Sequence, residues 1–166
     1  MKNQYEYTIN STEDISRALR EAEQQGFDLN PYNSAFYLRG TSGEPISVDD
    51  SLANLHVVTY GPAPVWVSGE GEATVIAEKN AVVYATEGSV VDAYDYSTVY
   101  AYDRSTVIVQ AGASVYVASD DAYVEAWEAS KVYLPAAGSP GHIPHLRTED
   151  PDGVIRVGPP FDEDEN

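Results

Sequence analysis

A chain of 166 residues, 43% of them hydrophobic and none of them cysteine, has room for one domain with a real core, and it excludes disulfides, thiolate metal sites and cysteine nucleophiles. Its 27 acidic and 9 basic residues give a net charge of −18, which repels nucleic acid and anionic membranes and favours a basic partner. Residues 1–30 lack a basic-then-apolar leader pattern and no apolar run approaches the roughly 18 residues of a membrane span, so a cytoplasmic location is expected.

Residues 1–60 read as a small α+β capping unit. Residues 4–9 alternate as a strand does, and Ser11 followed by Asp14 opens a helix whose apolar positions Ile15, Ala18, Leu19 and Ala22 follow the 3.6-residue period. Gly26 ends it. Residues 35–39 suggest a second strand, residues 40–45 a turn and residues 47–55 a short helix. Folded over the first coil of a neighbouring β-structure, such a unit would cover strand groups that otherwise invite aggregation.

Residues 61–135 hold a repeat. Val75, Val83, Val91, Val99, Val107 and Val115 recur every eight residues, and Val124 and Val132 continue the beat after one extra residue near 119–121. Two places before each valine stands a small residue (Ala73, Ala81, Ser89, Ser97, Ser105, Ala113, Ala122, Ser130), and two places after most of them an alanine or valine. Five alternating residues and a three-residue corner cannot be helix; stacked in one direction they make a parallel β-solenoid with a narrow core. Two octads per coil, about sixteen residues, place Tyr84, Tyr100, Tyr116 and Tyr133 in one outward column, where stacked rings reinforce the coil. A 24-residue coil would break that column. Tyr102 shares the tyrosine face. The other face carries Ile76, Asp92, Tyr94, Ile108, Gln110, Tyr123, Glu125 and Trp127, and one edge collects Glu87, Asp103, Asp120 and Asp121.

In Ala93-Tyr94-Asp95-Tyr96-Ser97-Thr98-Val99-Tyr100 and Ala101-Tyr102-Asp103-Arg104-Ser105-Thr106-Val107-Ile108 the chain resembles short-repeat solenoids of the A-x-x-x-S-x-V-x kind. More distantly it is similar to bacterial ice-nucleation repeats, which also use sixteen-residue coils and a tyrosine ladder. The resemblance spans residues 73–134 and implies architecture only. Ice-nucleating repeats present Thr-x-Thr, and the second threonine position here holds Tyr100 or Ile108.

Residues 136–166 are rich in proline and glycine and end in Asp162-Glu163-Asp164-Glu165, the composition of an irregular acidic tail in which residues 154–157 can add one edge strand. His142 and His145 flank Pro144 without a third ligand, and the Asp150-Pro151-Asp152-Gly153 start of a calcium loop has Phe161 where a glutamate is required. No phosphate loop, nucleophile elbow or HExxH motif occurs, so neither a cofactor, a metal nor an enzymatic activity is expected.

The expected function is binding. Small acidic cysteine-free chains of this character resemble phage-encoded antagonists of bacterial defence, such as anti-CRISPR proteins and anti-restriction DNA mimics. That resemblance implies a basic, nucleic-acid-binding host protein as partner, with Tyr84, Tyr100, Tyr102, Tyr116, Tyr133, Glu87, Asp103, Asp120 and Asp121 as the contact. Residues 73–134 carry a net charge of −6. Four coils at about 4.8 Å span about 19 Å, so the rod has about one charge per 3 Å, near half the density of B-DNA. Pairing into a homodimer would strengthen the mimicry. Two alternatives remain open: a self-assembling structural solenoid, and a glycan-binding phage module whose tyrosines stack on sugar rings.

Overall fold

The computed structural model describes residues 5–32, 34–40, 43–69, 74–119, 121–127 and 129–134, and the backbone of residues 145–148 and 154–157. Asp120, Ala73, Glu128, His142, residues 150–153 and the acidic C-terminus lie outside the described residues.

The octads fold as expected. Strands β6 (Thr74–Ala77), β7 (Val82–Ala85), β8 (Val90–Ala93), β9 (Thr98–Ala101), β10 (Thr106–Val109), β11 (Ser114–Val117), β12 (Tyr123–Ala126) and β13 (Lys131–Leu134) alternate between two parallel sheets. Val75 pairs with Val91 and Val91 with Val107, sixteen residues apart, and the inserted residue makes the next step, Val107 to Val124, seventeen. Every second side chain points inward: Val75, Val83, Val91, Val99, Val107, Val115 and Val124 are fully buried, as are the alanines two places on at 77, 85, 93 and 101. Sheets that face each other across so thin a core leave room for valine and alanine and little else.

The corners repeat as well. The second residue after each of β6 to β10, at Lys79, Glu87, Asp95, Asp103 and Ala111, lies in the left-handed region, as does Ala129 in the corner after β12. A backbone bond closes each turn, for example Ser97 N–H to the Tyr94 carbonyl (3.1 Å) and Ala113 N–H to that of Gln110 (3.0 Å). The chain thus reverses onto the opposite sheet in three residues.

The parallel ladder does not begin at residue 61. Strands β1 (Tyr5–Ile9), β2 (Ser34–Leu38) and β4 (His56–Thr59) extend the sheet of β6, and β3 (Ile46–Val48) and β5 (Val65–Val67) extend that of β7, giving one sheet of eight strands and one of seven. The strands of the N-terminal unit are therefore coils of the same solenoid, with longer corners: Val57 pairs with Val75, eighteen residues on. Capping falls to the helix α1 (Thr12–Gln24), which packs on β1 and β3, the end strands of the two sheets, and buries Ile15, Ala18 and Ala22. Ser11 makes no side-chain cap; instead Asp14 accepts the Asn10 backbone N–H (2.9 Å) and an ion pair from Arg17. The helix expected over residues 47–55 is the end of β3 followed by one 3-10 turn, Asp50–Leu52, because Val48 and Leu52 are drawn into the core.

The segment after Pro135 also departs from expectation. Besides the foreseen β15 (Val154–Val157), which pairs with β13, a strand β14 (His145–Thr148) pairs with β12, so one more coil follows the last octad. Loops longer than an octad corner hide the beat: Val124 pairs with Leu146, twenty-two residues on. His145, considered above as a metal ligand, lies in this ladder opposite Tyr123.

Candidate interaction surface

The parallel register of β7, β9, β11 and β13 sets Tyr84, Tyr100, Tyr116 and Tyr133 directly above one another. Their rings stack nearly parallel, with centroids 4.9 Å apart for Tyr84 and Tyr100, 5.2 Å for Tyr100 and Tyr116 and 4.4 Å for Tyr116 and Tyr133. Trp66 adds a fifth ring, 4.6 Å from Tyr84. Sequence reasoning missed it because its coil is eighteen residues long, although its position between Val65 and Val67 repeats the inward-outward-inward pattern. Each tyrosine is partly buried, while Trp66 at the start of the column is 41% exposed.

Stacking also changes the phenols. Burial pushes the Tyr100 hydroxyl above its ordinary range, and phenolates at Tyr84, Tyr116 or Tyr102 would push it further. Burial likewise raises Tyr116, with Tyr133 adding to the effect. Both stay neutral at physiological pH.

The acidic edge follows from the corner geometry. Glu87 and Asp103 occupy the left-handed corner position in successive coils, and Asp121 falls on the same edge one coil later. These three line one shallow hollow of about 450 Å³ together with Arg104, the cation that interrupts the acidic row. Asp103 has a structural duty too, since its carboxylate accepts the Glu87 backbone N–H at 3.4 Å; Asp95 does the same for Lys79 on the opposite edge. Tyr84, Tyr100, Tyr116 and Tyr133 thus share one column and Glu87, Asp103 and Asp121 one hollow, Tyr102 begins the corner after β9, and Asp120 lies outside the described residues.

No group of acidic or histidine side chains among the described residues is arranged to hold a metal ion. None of their helices is long and apolar enough to cross a membrane. No protein-family model, curated protein or solved structure matches the chain.

Proposed function

We propose that the protein is a non-enzymatic binding protein that engages and blocks a basic, nucleic-acid-binding partner through its tyrosine ladder and acidic edge, in the manner of an anti-CRISPR or anti-restriction inhibitor. The observation that carries this reading is the juxtaposition of a five-ring aromatic ladder with a hollow lined by Glu87, Asp103 and Asp121. Rigid stacked rings lose little conformational freedom on binding and supply large contact areas, whereas clustered carboxylates accelerate encounter with a cationic surface. A net charge of −18 exceeds the magnitude of about 2–8 that solubility asks of a small domain.

The test is affinity capture from a host lysate at low and at high salt. Recovery of a basic nucleic-acid-binding protein at low salt, weakening steeply above physiological ionic strength, is the expected result. Capture that is indifferent to salt, or binding on a glycan array in place of a protein, would refute it.

A further inference from the structure

The aromatic ladder has one open end. In register its column reads Ser47, Trp66, Tyr84, Tyr100, Tyr116, Tyr133, because β3 pairs with β5 and β5 with β7. Tyr84, Tyr100 and Tyr116 each carry a ring on both faces, so a partner reaches only their edges and hydroxyls. Trp66 differs. One face of its indole lies on Tyr84, with 4.6 Å between centroids and 9° between planes, and among the described residues no second ring covers the other. The residue in register on that side is Ser47, exposed and too small to cover an indole, and β3 is the end strand of its sheet. Trp66 is accordingly 41% exposed, while the tyrosines beyond it are partly buried.

The surrounding stretch is one-sided in charge. Between Arg39 and Lys79 the sequence holds Glu44, Asp49, Asp50, Glu70, Glu72 and Glu78 and no lysine or arginine. Glu44 stands two places before β3 and Asp49 directly after it, both exposed. Hydrogen bonds from the Ser51 hydroxyl and N–H hold the Asp49 carboxyl below the usual range, so it is ionised at neutral pH. An indole face is the strongest of the aromatic surfaces for a cation, and a guanidinium, flat and weakly hydrated, stacks on it. Among the described residues the cation placed over a ring is Lys79 on Tyr60 (4.9 Å), which leaves the Trp66 face unused by the chain itself.

We infer that the open face of Trp66 seats an arginine side chain of the partner protein, its guanidinium lying flat on the indole as the next layer of the ladder, with Glu44 and Asp49 as nearby counter-charges. This rests on the proposal above that the partner is basic, and it names the cation that partner presents. Successive layers of the ladder are 4.4–5.2 Å apart, and Ser47 leaves the next layer vacant. Lysine suits the face less well, since its hydrated ammonium is a point charge where a guanidinium covers the ring.

The experiment titrates the full chain with N-acetylarginine amide and with its neutral isostere N-acetylcitrulline amide at constant ionic strength. NMR follows the indole N–H signals of Trp66 and Trp127, the two tryptophans, with Trp127→Phe to assign them. A saturable shift of the Trp66 signal with the arginine amide is expected, with the Trp127 signal unmoved. Binding should be at least about threefold weaker for the citrulline amide, and at least about threefold weaker in Ser47→Tyr, whose added ring closes the face. No saturable shift at Trp66, an equal response at Trp127, equal binding of the two amides, or equal binding by Ser47→Tyr would overturn it. Ser47 is exposed and donates only its backbone N–H, to the Thr12 hydroxyl (2.9 Å), so the variant keeps that bond and its melting curve verifies the fold. The comparison of amides on the parent chain stands without the variant. Capture from lysate tests the wider reading separately: a basic partner held equally by the parent and by Ser47→Tyr overturns the arginine seat alone, whereas arginine binding with no basic partner captured upholds the seat and refutes the wider reading.

Discussion

Serine at the small-residue position has two different environments. Ser97 and Ser130, on one edge, donate their hydroxyls to the carbonyls of Tyr94 (2.8 Å) and Trp127 (2.6 Å) and so tie their corners shut. Ser89 and Ser105, on the other edge, are equally buried, and their hydroxyl oxygens have no partner. Losing a made bond costs about 1 kcal/mol, whereas removing an unpaired buried hydroxyl costs nothing and can be a gain. Ser97→Ala is therefore expected to lower the urea-unfolding free energy by about 1 kcal/mol, and Ser105→Ala to leave it unchanged or raise it. The reverse order would contradict this account of the corners. The sequence shows only that each position must be small; which hydroxyl finds a carbonyl differs between the two edges.

At the level of strands, the period-two alternation makes a sharp expectation. Val107→Asp puts an unpaired carboxylate into a core two side chains thick and should cost several kcal/mol, about 3–5. The neighbouring outward position is best probed by Ile108→Lys, since Ile108 lies between Asp92 and Glu125 and a lysine there has carboxylates on both sides. Its melting temperature should match or exceed the parent's; equal losses in the two variants would mean that the inward and outward positions are misassigned. The ladder makes a second expectation. Tyr100 and Tyr116 ionise above the ordinary 10.0 when folded. A raised folded pKa means that the unfolded chain loses these protons first, so the ladder's contribution is complete below pH 10.0, is lost as pH rises through the folded values, and adds alkaline sensitivity. Tyr100→Phe should shift the alkaline unfolding midpoint upward, and an unmoved midpoint would remove the burial argument. Strand positions and the ladder were legible because the octad beat is strict from Val75 to Val115 and resumes at Val124 after one inserted residue. Trp66 and β14 were not, because corners of other lengths put them off that beat while the register stays intact.

Over the whole molecule the solenoid separates two kinds of surface. One face and its edge gather aromatic rings and carboxylates in repeating order, and the other holds an irregular hollow lined by residues of the N-terminal coils and of the octads. The first was readable from the sequence, since within the octads residues sixteen apart, or seventeen across the inserted residue, lie above one another. The second was not: Asn54, His56 and Asp92 meet only through the irregular coils, and no spacing announces them. Net charge is legible at once, but its arrangement requires the fold, which sets Arg104 inside the acidic row and gives Asp103 a backbone to hold.

The most direct test of the proposed working surface is the kinetics of association with the partner recovered at low salt, measured for two variants at several ionic strengths. Neutralising Glu87, Asp103, Asp120 and Asp121 to Gln and Asn should slow association and flatten its salt dependence, because long-range attraction sets the encounter rate. Tyr100→Ala combined with Tyr116→Ala should leave association near the parent's and speed dissociation, because packed rings supply the short-range affinity. If both variants associate and dissociate as the parent does, the ladder and the acidic edge are not the contact.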